Sequence, residues 1–187
     1  MKAKRDFWVF SYAKGAGSAR GEEARWGIDS NLPVEITNDF KRQVGPVSVP
    51  AEPYVASAER GDRIEDVPWV YQDFYVVSDR VRRIFDEYSP GDCQFLPIDI
   101  RIKGRSLRLP YWILHCLHTI DCADPDKSYR VDNPDLYYVS ATVLPEKVPP
   151  NTCTFRIAHS APWPVVRESL RRIIVKNKIT GCMFYAP

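Results

Sequence analysis

The sharpest pattern along the chain lies at Val77, Val81, Ile84, Phe85 and Tyr88, where apolar side chains recur at i, i+4, i+7, i+8 and i+11. That spacing predicts a helix with one buried face, Ser78 placed to cap it and Pro90-Gly91 to end it. A second helix is predicted over Val165 to Asn177. Between them Ile98, Ile100 and Ile102 alternate with Asp99, Arg101 and Lys103, the signature of a half-buried strand. Lys103-Gly104-Arg105 then reads as a turn into a second strand, Leu107 to Ile120, interrupted near Pro110. Further strands are predicted at Lys4 to Tyr12, Leu136 to Leu144, Thr152 to Ile157 and Thr180 to Tyr185. Prolines 33, 46, 50, 53 and 68 break residues 32–68 into short extended pieces. The expected fold is α+β, with short antiparallel strands and two amphipathic helices.

The two helical segments share more than periodicity. Residues 76–95 and 165–184 align without a gap at an offset of 89, with seven identities: two valines, Arg-Arg-Ile, a cysteine and a phenylalanine. Chance over such a window gives about one or two, so an internal helix–strand repeat is expected.

Composition bounds the class. A chain of 187 residues is long enough for one domain with a core of its own. Residues 1–69 read as a β- and loop-rich portion packed on an α+β portion over 70–187. The 16 prolines fit short elements, and no apolar run is long enough for a signal peptide or membrane span. The chain therefore reads as cytosolic, and its five cysteines, an odd number with no CxxC pair, as free thiols. Net charge is +2, but unevenly spread: residues 1–75 hold 10 basic and 12 acidic side chains, residues 76–187 hold 16 and 12.

That asymmetry supplies the first functional candidates. Arg101, Lys103, Arg105 and Arg108 surround one hairpin, and Arg167, Arg171, Arg172, Lys176 and Lys178 load the second helix region, with only Glu168 opposing. Such faces steer an acidic partner. They suit nucleic acid less well, because no nucleic-acid motif accompanies them. Arg25 and Trp26, in a Gly-rich loop expected to be mobile, are residue types that anchor protein interfaces. The loop glycines lack the spacing of a phosphate cradle.

Catalytic candidates are thinner. His115, Cys116, His118, Asp121 and Cys122 are all capable of binding zinc, but in a strand His115 and His118 point to opposite faces. Cys116, His118 and Cys122 share a parity with Trp112, Leu114 and Ile120, which reads as a packing face. Cys93 follows a turn, yet its repeat mate Cys182 argues for a shared packing role. The enzymatic alternatives are the Asp121/Asp124 loop or this Cys/His cluster, with a nucleic-acid binder as a third reading. No cofactor or metal is expected.

Two stretches resemble the immunity protein 11 group of bacterial polymorphic-toxin immunity proteins, once a domain of unknown function. One is Tyr111 to Ser128, an aromatic-led strand closing on Asp121, Asp124 and Ser128. The other comprises Phe155-Arg156-Ile157 and the segment Val165 to Phe184, which ends Ile179-Thr180-Gly181-Cys182-Met183-Phe184. The resemblance covers about residues 70–187. It departs at His115 and His118, where the group tends to carry asparagine, and at Pro125. It implies a domain that binds and occludes a cognate toxin, with no catalytic residues to carry over. The residues expected to meet that partner are Arg25, Trp26, Arg101, Lys103, Arg105, Arg108, Arg167, Arg171 and Lys176.

Overall fold

The computed structural model describes residues 5–12, 26–27, 44–58, 64–68, 74–131 and 138–187. Its first helix, α1 (Asp79–Tyr88), starts where the sequence predicts. Ser78 holds an extended backbone and its Oγ accepts from the Val81 N–H at 3.4 Å, while Asp79 places a carboxylate at the positive end of the helix dipole. The helix stops at Ser89, whose N–H reaches back to the Phe85 carbonyl, and Gly91 turns the chain at φ +78°. The second helix, α2 (Glu168–Lys176), starts three residues later than expected. Val165 and Val166, apolar on both faces, belong instead to a strand, Val165–Arg167, buried on both sides.

Each helix bridges two parallel strands with a third strand between them. The first group is β4 (Tyr75–Ser78), α1 and β5 (Cys93–Ile102), with β7 (Tyr111–Cys116) antiparallel to both strands. Here Val76 faces Ile113 and Phe95 faces Leu114. The second is β12 (Val165–Arg167), α2 and β13 (Cys182–Tyr185), with β1 (Phe7–Tyr12) antiparallel to both. There Val165 faces Val9 and Phe184 faces Phe10.

Two sheets grow outward from these groups. The first runs β2 (Trp26–Gly27), β3 (Tyr54–Ala58), β5, β7, β4, with β6 (Arg105–Ser106) also paired to β5. The second runs β13, β1, β12, β11 (Thr154–Ile157), β8 (Thr119–Ile120). A separate ribbon pairs β9 (Tyr129–Arg130) with β10 (Tyr138–Ser140). Two pairings, β3 with β5 and β11 with β8, are parallel, where only antiparallel strands were expected. Parallel neighbours need long connections, and a local alternation pattern carries no record of them.

The predicted strand Leu107 to Ile120 is likewise two strands in two sheets. Leu117 N–H is taken by the Asp92 carbonyl, and the next carbonyl, of His118, accepts from Arg156 N–H. The chain crosses between the sheets at that point.

Three apolar clusters result. One covers the outer face of the first sheet, around Leu96, Ile98, Ile100 and Ile113. Another covers the outer face of the second, around Phe7, Val9, Phe155 and Val165. The central cluster draws on both sheets and both helices, including Phe10, Val77, Phe85, Leu114, Val166 and Leu170.

The turn into β13 carries a tight constraint. Gly181 has φ +74°, and a Cβ there would lie 2.7 Å from the Glu65 Cβ. Asp66, next in chain, accepts from Thr180 N–H at 3.1 Å and Ser78 Oγ at 2.7 Å, tying the cap of α1 to this turn. Gly181→Ala should therefore cost about 3 kcal/mol, from positive φ and overlap together. Gly91→Ala, whose Cβ meets nothing within 4 Å, should cost about 1 kcal/mol. Urea denaturation of the two variants checks the order.

Candidate functional site

The basic hairpin forms as a surface feature. Lys103 and Gly104 both have positive φ (49° and 76°), as a two-residue hairpin turn between twisted strands requires. Arg101, Lys103, Arg105 and Arg108 are all exposed. Arg101 is neutralised locally: its Nε donates to Asp99 Oδ2 at 2.8 Å, and Ser106 Oγ donates to the same oxygen at 3.0 Å. Lys103, Arg105 and Arg108 have no ion pair among the described residues. A groove of about 440 Å³ is lined by Glu52, Val55, Asp99, Arg101, Leu109 and Trp112 among others, and not by Lys103, Arg105 or Arg108. Leu109 is 71% exposed at its rim. In the sequence, Leu109 is marked only by its place between Arg108 and Pro110.

The second basic group is placed differently. Arg167 donates from Nε to the Thr152 carbonyl at 2.6 Å and from a terminal nitrogen to the Pro149 carbonyl at 2.8 Å, with its guanidinium 5.1 Å above the Phe7 ring. Arg171 donates from Nε to Glu168 Oε2 at 2.7 Å and stacks 4.5 Å from the Trp8 ring centre. Arg172 donates to the other Glu168 oxygen at 2.9 Å. The Arg171 bond, ahead of the Arg172 bond, holds the Glu168 carboxyl below its ordinary range despite partial burial. Lys176 is exposed in the last turn, where its charge suits the helix dipole. Arg25 lies outside the described residues; Trp26 begins β2, its backbone paired with Ala58.

The histidines and cysteines do not converge. His115 is buried, and its Nε2 lies 2.9 Å from the Gly45 carbonyl. His118 is half-exposed, with Nε2 3.2 Å from Asp92 Oδ1. Cys116 packs in the central cluster and Cys122 in the outer cluster of the second sheet, because the chain changes sheets between them. The shared parity of Cys116, His118 and Cys122 expected from one unbroken strand is therefore absent. Burial pushes the Cys93 thiol well above its ordinary value, with Cys116 beside it adding to the effect. Burial likewise drives Cys122 and Cys182 up to about 11 and raises Cys153. Raised thiol pKa values are the reverse of what a cysteine nucleophile needs. Among the described residues no group of three or more His, Cys, Asp or Glu could hold a metal ion.

The acidic loop is spent on its own turn. Asp124 is buried and accepts from Lys127 Nζ at 2.9 Å and from Asp126 N–H at 3.1 Å, and the Lys127 bond leads in depressing its carboxyl. Ser128 Oγ accepts from Thr142 N–H at 3.0 Å, closing the loop on the chain beyond β10. Asp121 is exposed and apart from this turn's hydrogen bonds.

A residue missed in the sequence does more than these. Asp92 is buried, and its Oδ2 accepts from Cys153 N–H at 2.7 Å, Thr154 N–H at 3.0 Å and Ser89 Oγ at 2.7 Å. It joins the end of α1 to β11 of the other sheet. Its position in Pro90-Gly91-Asp92-Cys93 signalled only a turn.

Burial lowers the His115 pKa below 6.5, Arg156 lowers it further, and the Gly45 carbonyl opposes both. The folded protein thus holds His115 neutral where the unfolded chain takes up a proton. The associated stability is complete above the unfolded value and declines as pH falls through it. His115→Asn, which keeps a polar side chain without the titration, should lose less stability than wild type between about pH 7 and pH 5. Urea midpoints across that range decide; parallel curves would show that His115 contributes nothing to the slope.

With the geometry in place, comparison with known proteins supplies the identity of the group. The immunity protein family model (Imm11) matches residues 14–186, nearly the whole chain. A search of curated proteins returns no match. The chain belongs to the Imm11 immunity protein family.

Proposed function

We propose that this member of the Imm11 family binds a cognate bacterial toxin in the cytoplasm and neutralises it by occlusion, without chemistry of its own. The family match over residues 14–186 carries this reading. Its support from the molecule lies in where the reactive side chains are spent. The Asp124 carboxyl closes its own loop, and every thiol with a displaced pKa is moved toward the inert protonated form.

We also propose that the helix–strand units at 76–95 and 165–184 are copies of one repeat. The starts of α1 and α2 and of β5 and β13 keep the offset of 89. Arg82 stacks 4.1 Å from Trp112 and its counterpart Arg171 stacks 4.5 Å from Trp8. Asp79 pairs with Arg83, and its counterpart Glu168 with Arg172. Val77 faces Trp112 and its counterpart Val166 faces Trp8, so the central strands β7 and β1 correspond as well. One central strand follows its unit in sequence and the other precedes it, a permuted order that no linear alignment registers. On this reading Arg171 holds the fold rather than the partner.

Two outcomes are expected. Co-expression of the chain with the toxin encoded beside it should restore growth, and failure against every adjacent candidate toxin would contradict the immunity role. Arg171→Ala should lower stability by about 1 kcal/mol through loss of the stacked cation, while protection persists below its melting temperature. Loss of protection in a fully folded Arg171→Ala variant would place that residue at the interface instead.

A further inference from the structure

We propose that Cys93 and Cys116 form a modification site: under a peroxide oxidant they close a reversible disulfide that staples β5 to β7 beside the point where the chain leaves the first sheet for the second. This goes beyond the binding role argued above and does not depend on it.

Register brings the two thiols together. Cys93 of β5 lies directly opposite Cys116 of β7, so both side chains leave the sheet on one face and enter the central cluster. The adjoining pair shows which kind of partners they are. Leu117 N–H donates to the Asp92 carbonyl at 2.9 Å, which makes Asp92 and Leu117 a hydrogen-bonded pair. Such pairs alternate along an antiparallel ladder with non-hydrogen-bonded ones, and Cys93 and Cys116 are therefore of the second kind. Pro97, opposite Trp112 at the same parity, agrees, because it has no N–H to give β7. Non-hydrogen-bonded partners hold their Cα atoms about 4.5 Å apart, within the span of about 4.4–6.8 Å that a disulfide bridges.

The other thiols are placed differently. Cys182, the counterpart of Cys93 in the second unit, faces Tyr12, and Cys122 lies in the outer cluster of the second sheet. A packing role shared by the two units accounts for Cys93 and Cys182. It does not account for a second cysteine at position 116.

Exposure orders the steps, since Cys93 is partly exposed and Cys116 is buried. The Cys93 sulfur attacks one peroxide oxygen, the O–O bond breaks, and a sulfenic acid and water result. The Cys116 sulfur then attacks the Cys93 sulfur, the S–O bond breaks, and a second water leaves with the Cys116 proton. The thiol pair is oxidised to a disulfide while peroxide is reduced to water. Burial first, then Cys116 and Asp92, keep the Cys93 thiol protonated, with Thr154 opposing. Reaction is therefore slow, and the pair answers sustained oxidant rather than serving as a nucleophile. A Cα separation at the short end of the range strains the bridge and keeps it reducible.

The test treats the full folded chain with dilute hydrogen peroxide, blocks remaining thiols, and maps tryptic peptides without reduction by mass spectrometry. Residues 84–101 should appear linked to residues 109–127, and dithiothreitol should release them. The second peptide also holds Cys122, so variants fix the partner. Cys93→Ser and Cys116→Ala should each abolish the link, whereas Cys122→Ala and Cys182→Ser should leave it in place. The oxidised wild type should melt about 5 °C above the reduced protein. A link that survives in Cys116→Ala, a link to another cysteine, or an unchanged melting temperature would overturn the assignment. So would Cys93 recovered as sulfinic acid with no link in the wild type, a result that needs no variant to fold.

Discussion

The structure turns on Phe10. It is fully buried in the middle of β1, and its ring lies 6.1 Å from Tyr75 of β4, 5.7 Å from Phe85 of α1 and 5.8 Å from Phe184 of β13. One side chain from the first strand thus meets a strand and helix of one group and a strand of the other. Aromatic clusters of this kind bury large apolar area with defined ring geometry. They also fix relative placement, because interiors are packed too densely to tolerate a shifted ring. Two buried or nearly buried carboxylates add direction at the edges of this layer. Asp66 links the cap of α1 to the turn before β13, and Asp92 links the end of α1 to β11. Apolar packing brings the two groups together, and these bonds set their orientation.

Much of this was legible in the sequence where a local period dictates structure. The helix at Val81, Ile84 and Phe85, its Ser78 cap and the Ile98–Ile100–Ile102 alternation all appear where spacing and cap chemistry place them. What failed to show is everything set by long-range partners. Val165 and Val166 fit a helix by periodicity, yet pairing with β1 and β11 makes them strand. Leu117 and His118 look continuous with the strand before them, and only Asp92 and Arg156, distant in sequence, reveal the crossing. The candidate site divides in the same way. Basic charge at the hairpin could be read directly, whereas the internal partners of Arg167 and Arg171 depend on Thr152, Pro149 and Trp8.

That division bears on function. An interface that binds by occlusion needs a stable platform and a set of groups the platform does not itself consume. The stacked arginines, the inert thiols and the Asp124 loop belong to the platform. Under the proposed role, Lys103, Arg105 and Arg108 are the candidates for the second set, exposed on or beside a tight hairpin whose base is held by Asp99.

Hydrogen–deuterium exchange of the full chain, with and without the toxin encoded beside it, tests the central claim most directly. Slowed exchange on binding is expected to concentrate in the β5–β6 hairpin and the stretch leading into β7, where Lys103, Arg105 and Arg108 stand exposed. Slowing confined to α2 and β13, or no slowing anywhere while the toxin is neutralised, would contradict it.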